Sequence, residues 1–146
     1  MSEIHISQDY PYAPETVWRA VTDPALVPLW TSTGRGGTPE GFAPEVGCQF
    51  RFVGKPVPGW DGIVRCEVLE VDPPSLLRYS WRDDKDTVTQ VTYRLEAHEG
   101  GTRFSYDHTG FTGAGGLMMS ALILGPVRRR MLSKGLPAVL DTLGTR

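Results

Sequence analysis

The sequence predicts an α+β domain, with a six-stranded antiparallel curved sheet wrapped around one long C-terminal helix and two short helices after the first strand. Three features of the 146 residues lead there. Apolar and polar residues alternate in successive short runs between Cys48 and His108, the period-two pattern of strands with one buried face. Brief turn-forming segments separate those runs, so consecutive strands should pair antiparallel. The C-terminal part spaces its apolar residues as a long helix does, and a sheet with one apolar face needs a cover of that length.

Residues 3–12 (EIHISQDYPY) put Ile4, Ile6, Tyr10 and Tyr12 on one side of a strand and His5, Ser7 and Asp9 on the other. Pro14 and Glu15 suit a first helical turn, where proline's missing N–H costs nothing and a carboxylate meets the positive helix end. Val17, Trp18 and Val21 give that helix its apolar face. Asp23-Pro24 opens a second short helix with Leu26, Leu29 and Trp30 pointing inward. The glycine- and proline-rich stretch from Thr33 to Pro44 reads as loop.

Strands follow. CQFRF alternates Cys48, Phe50 and Phe52 against Gln49 and Arg51, and GKPVPGW leads into DGIVRCEVLEVD, which ends at Pro73-Pro74. LLRYSW offers Leu77, Tyr79 and Trp81 to one face. After a turn at Asp83–Asp86, VTQVTYRLEA buries Val91, Tyr93 and Leu95. Glu99-Gly100-Gly101 makes a tight hairpin, and TRFSYDHTG then places Phe104, Tyr106 and His108 on one side. From about Gly116 to Gly144 the chain is helical, with Leu132, Leu136, Val139, Leu140 and Leu143 forming one stripe. Extended backward, the stripe would bury Arg128 and Arg129, so a bend is expected at Gly125-Pro126 and a weaker one near Pro137.

Residues 109–127 (TGFTGAGGLMMSALILGPV) carry no charge. A membrane span needs about 20 predominantly apolar residues. Here the dense apolar part runs only from Leu117 to Leu124, between glycines on one side and Gly125-Pro126 on the other. A phosphate loop also fails, because Gly116 and Leu117 stand where Lys and Ser/Thr are needed, and the dinucleotide pattern meets Met118 at its third glycine. The run is read as chain turning off the last strand to lie over the sheet.

Length points to one domain over residues 1–146, and 40% hydrophobic with 22% charged residues is ordinary for a soluble globular protein. A formal charge of −2 offers no general attraction to nucleic acid. MSEIHISQDYPY lacks the basic start and apolar stretch of a signal peptide, so a reducing cytoplasm is expected, with two cysteines too few for a disulfide scaffold.

ISQDYPYAPETVWRAVTDPALVPLW, GIVRCEVLEVDPPSLLRYSW, GGTRFSYDHTGF and the closing LPAVLDTL together resemble the helix-grip superfamily called START-like or SRPBCC. Within it the chain is most similar to the Aha-type branch, named after activators of a heat-shock chaperone ATPase. The resemblance spans nearly the whole chain, and its motifs mark a fold more than a chemistry. It implies a cavity between sheet and helix for a hydrophobic small molecule, with the glycines of GFTGAGG at one side of the mouth. Some members of the superfamily are polyketide cyclases.

The residues expected to face that cavity are Trp30, Phe50, Phe52, Tyr79, Trp81, Tyr93, Phe104, Tyr106, His108, Met118 and Leu122. Such a lining suits a flat or hydrophobic ligand, although most of these side chains would also serve simply as core. His108 could act as a general base or hold a ligand carbonyl; the plain alternative is a histidine bonded to a neighbouring hydroxyl. Tyr79 and Tyr106 could polarise an enolising carbonyl beside it. Arg128 or Arg129 could anchor an anionic group, against the simpler reading of a solvated turn. If the hairpin between their strands is centred at Val57, Cys48 and Cys66 sit opposite one another, as two thiols or a disulfide.

No cofactor or metal is expected: His5, His98 and His108 have no ligand spacing with the cysteines, and no GxSxG elbow occurs. Binding of a hydrophobic, aromatic or polyketide-like molecule ranks first, as carrier, sensor or sequestering protein. A cofactor-free cyclase or aromatase is second, with Tyr79, Tyr106 and His108 as its polar set. A chaperone-associated interaction protein is third. The ligand and the oligomeric state stay open.

Overall fold

The computed structural model describes residues 2–30, 38–53, 63–82, 88–111 and 129–143. Strand β1 (Ser2–Tyr10) precedes helices α1 (Pro14–Thr22) and α2 (Val27–Trp30). Strands β2 (Thr38–Glu40), β3 (Gln49–Val53), β4 (Ile63–Asp72), β5 (Leu76–Arg82), β6 (Val88–His98) and β7 (Gly101–Phe111) follow. A π-helical turn (Met131–Gly135) then runs into α3 (Leu136–Leu143). All strands join one antiparallel sheet in the order β1-β7-β6-β5-β4-β3-β2.

The sheet has seven strands where the sequence suggested six. The addition, β2, pairs Pro39 with Phe52 at the sheet edge. Three residues are too few to show alternation, and proline, lacking an N–H, is tolerated at an edge. The β6–β7 hairpin turns at Glu99 and Gly100, whose φ values of 50° and 82° give the left-handed geometry that matches strand twist.

β1 ends at Tyr10, because Pro11 brings no N–H to the ladder, yet Tyr12 beyond it is still buried. The second helix starts three residues later than Asp23-Pro24 suggested. Asp23 caps the turn that leads into it, its carboxylate accepting the Ala25 amide at 2.9 Å and its carbonyl the Leu26 and Val27 amides. Leu29 is 55% exposed, and Val27 is buried with Trp30 instead. Trp30 is completely buried, and its indole N–H donates to the Ala20 carbonyl at 2.9 Å, so its polar end costs nothing to bury.

The C-terminal stripe is as expected: Leu132, Leu136, Val139 and Leu140 are buried and Leu143 is partly so. Near Pro137 the helix widens instead of simply bending. The Leu136 N–H reaches back five residues to the Met131 carbonyl. The Leu132 carbonyl thus loses its usual donor, and the next one along is proline. The Tyr10 hydroxyl fills the gap at 2.5 Å. At Gly135 a Cβ would stand 2.5 Å from the Trp30 carbonyl oxygen, so glycine is what lets this turn approach α2.

The cysteines are not paired. β3 and β4 register Phe50 opposite Cys66, and the Cys48 carbonyl accepts the Val68 amide instead. The hairpin centre therefore lies one residue beyond Val57, which moves Cys48 two places along the partner strand. Arg129 is exposed. Arg128, the Gly125-Pro126 bend, the Asp83–Asp86 turn and residues 112–127 of the uncharged run lie outside the described residues. Among the described residues, no helix is long and apolar enough to cross a membrane.

Candidate functional site

Strand alternation carries aromatic residues to the face covered by the helices. β3 contributes Phe50 and Phe52, β5 Tyr79 and Trp81, β6 Tyr93, and β7 Phe104, Tyr106 and His108. Trp30 reaches them from α2, its ring 6.5 Å from Tyr93. Register then decides who touches whom. Tyr93 sits opposite Tyr106 with ring centroids 5.6 Å apart, and edge-on to Phe104 at 5.4 Å. Phe50 meets Tyr79 edge-on at 5.4 Å, while Phe52 leans on Trp81 at 6.0 Å and Trp81 on His108 at 5.3 Å. Centroid separations of this size are the favourable range for aromatic pairs. Nine of the expected lining residues thus form one connected wall; Met118 and Leu122 lie outside the described residues.

Two polar pairs are set into this wall. The Tyr79 and Tyr93 hydroxyls meet at 3.1 Å. Burial, and to a lesser degree the neighbouring Tyr93 and Tyr106, hold the Tyr79 phenol well above its ordinary pKa, so it stays protonated. His108, fully buried, shares a 2.7 Å hydrogen bond between Nε2 and the Thr89 hydroxyl, which also lies 3.4 Å from the Trp81 carbonyl. The plain reading of His108, a histidine bonded to a neighbouring hydroxyl, describes this contact. Tyr79 and His108, expected as one polar set with Tyr106, are instead engaged in two separate pairs. Such groups can offer hydrogen bonds to a ligand oxygen, and a protonated phenol can act as donor but not as base.

Between α1, α2, β2 and the sheet lies a cavity of about 10 Å³, lined by Val27, Phe42, Phe50, Phe52, Tyr79 and Tyr93 among others. That is room for roughly one water. Phe52 and Trp81 are half-buried, unlike the rest of the wall. Phe42 packs edge-on against Phe50 at 4.9 Å. Its loop is tied down by the Cys48 thiol, which donates to the Gly41 carbonyl at 3.2 Å and accepts the Ala43 amide at 3.3 Å.

Sequence reasoning missed Phe42 and Thr89. Thr89 shares parity with Val91, Tyr93 and Leu95, so strand alternation does mark it as inward. Phe42, in an irregular loop, offers no periodic signal. Among the described residues no group of three or more His, Cys, Asp or Glu side chains could hold a metal.

The family model described as "Activator of Hsp90 ATPase homolog 1-like protein" matches residues 11–143. No curated protein matches the chain in sequence. Among solved structures, protein MLL2253 from Mesorhizobium loti is 26% identical with a TM-score of 0.77, covering 96% of this chain and 97% of that one. A Rhodobacter sphaeroides protein is 25% identical with a TM-score of 0.79, covering 97% and 93%. DynU16, a protein in the dynemicin biosynthetic locus, shares the fold at 24% identity and a TM-score of 0.70, over 97% of this chain but 48% of its own.

Proposed function

The chain belongs to the family of Activator of Hsp90 ATPase homolog 1-like proteins, and on that premise we propose that it binds a hydrophobic, aromatic or polyketide-like small molecule between the sheet and the C-terminal helix. Its role is that of a single-domain cytoplasmic carrier, sensor or sequestering protein. The observation that carries this reading is the continuous aromatic wall with the Tyr79–Tyr93 hydroxyl pair set inside it. A wall of that kind buries a flat apolar molecule and orients it through a few placed hydroxyls. A fold-mate from a biosynthetic locus is consistent with this without specifying the ligand.

The described cavity, at about 10 Å³, is far smaller than a ligand. Entry of a ligand into this cavity would require side chains to move, and the half-buried Phe42 and Phe52 at its lining are the ones with least to lose. Native mass spectrometry of protein purified from its host's lysate, against a denatured control, tests the proposal. A retained hydrophobic mass is expected. A clean apo mass, together with no change in tryptophan fluorescence on titration with apolar aromatic compounds, would count against it, since Trp30 and Trp81 both belong to the wall.

The second reading, a cofactor-free cyclase, draws on the buried His108–Thr89 pair beside Trp81. Turnover of the retained molecule that disappears in His108→Ala would favour it over a carrier. Tyr79 and Tyr106 would then polarise the enolising carbonyl.

A further inference from the structure

The alternation that turns Phe50, Cys66 and Tyr79 toward the helices turns Arg51, Arg65, Glu67, Ser80 and Arg82 outward. There they line, with Glu40, a groove of about 530 Å³ on the opposite face of the sheet. Register sets Arg51 opposite Arg65, and Arg65 opposite Arg82. Three guanidinium groups thus stand in one row across β3, β4 and β5, with neighbouring Cα atoms about 5 Å apart. Like charges directly opposite one another on a sheet face repel.

The same face avoids this elsewhere. Arg78 is paired with Glu70 at 2.8 Å, Arg94 with Asp107 at 3.3 Å and Arg103 with Asp9 at 3.0 Å. Within the row itself, Arg51 has Glu40 at 2.9 Å. Arg65 and Arg82 alone among these strand arginines have no carboxylate within 4.0 Å among the described residues. Two adjacent positive charges with no carboxylate partner among the described residues lie in a concavity of ligand size.

We propose that this row is a binding site for a phosphate group. A phosphate monoester carries about −1.5 to −2 charge at pH 7, which balances the two guanidinium groups that have no carboxylate partner among the described residues. Each planar guanidinium fork can donate two parallel N–H bonds to phosphate oxygens, a geometry an ammonium group cannot supply. Ser80 adds a third donor: its Oγ accepts the Glu67 amide at 3.1 Å, which leaves its own O–H to give. Glu40 and Glu67 border the row and keep it short. Their carboxylates favour one compact dianion over an extended polyanion, as does the chain's net charge of −2.

The test is a ³¹P NMR titration of the full chain at low salt and about pH 8, where phosphate is dianionic, with inorganic phosphate in one arm and phenyl phosphate in the other. Saturable binding is expected, weakened at least tenfold in Arg65→Gln and in Arg82→Gln, and unchanged in Arg103→Gln, whose arginine is paired elsewhere on the face. Equal affinity in the two arms assigns the free ion; tighter phenyl phosphate assigns a phosphorylated compound. All three arginines are exposed, and thermal unfolding checks that the variants keep the fold. Failure to saturate, binding indifferent to both substitutions, or competition by succinate as strong as by phosphate would overturn the site. In that event the counter-charges would be sought in Asp83, Asp84 and Asp86, which follow Arg82 in sequence.

Discussion

Replacing Tyr10 by phenylalanine should loosen the helix that covers the sheet, because one hydroxyl completes that helix's hydrogen bonding. The Leu132 carbonyl lacks its usual helical donor: the Leu136 N–H goes to Met131, and residue 137 is proline. The Tyr10 hydroxyl takes the vacant place at 2.5 Å. Tyr10 is 5% exposed and Leu132 not at all, so water cannot replace it. Tyr10→Phe strands a buried acceptor, which costs about 1–3 kcal/mol. For a domain of this size that lowers Tm by about 2–4 °C per kcal/mol. Urea unfolding of wild type, Tyr10→Phe, Pro137→Ala and the double variant measures the effect. Pro137→Ala returns an N–H to the helix, so the tyrosine hydroxyl should matter less in that background, with a coupling of at least about 0.5 kcal/mol. Strictly additive costs, or a single-variant cost near zero, would refute the reasoning.

Other consequences follow from single contacts. His5 donates from Nδ1 to Asp107 at 2.6 Å and from Nε2 to Glu3 at 3.0 Å, and these hydrogen bonds raise its pKa above the ordinary histidine value. Its contribution to stability is therefore full below about pH 6.5 and lost as pH rises through the raised value. His5 is largely exposed and Asp107 also keeps Arg94, so the stability difference between wild type and His5→Gln should stay under about 1 kcal/mol. A difference that grew with pH would contradict the sign. Gly135→Ala should destabilise by about 1–3 kcal/mol, since its Cβ would meet the Trp30 backbone. Glycine-to-alanine in an ordinary helix gains up to about 1 kcal/mol, so a thermal shift upward would mean that α2 can yield. Burial pushes the Cys66 thiol far above its ordinary pKa, whereas Cys48 is only half-buried. Iodoacetamide should label Cys48 first in the native protein, as read by peptide mass mapping; equal rates would place Cys66 nearer the surface than the fold allows.

The period-two runs and the C-terminal stripe determined the succession of strands along the chain, the inward faces and most of the aromatic wall, because alternation in a strand needs no knowledge of its neighbour. Tyr79, Tyr93, Phe104, Tyr106 and His108 are buried for that reason. What a strand's partner is, and by how many residues it is offset, is a property of the pair. Tertiary packing alone decided that Cys66 faces Phe50, that His108 meets Thr89, that Tyr79 bonds Tyr93 and that Arg65 lies between two other arginines. The same holds for β2, which exists only because β3 offers it an edge, and for the widened turn before Pro137, whose missing N–H is made good by a tyrosine on the first strand. Faces follow from local periodicity; contacts follow from register, and register is settled only when the whole sheet closes on its core.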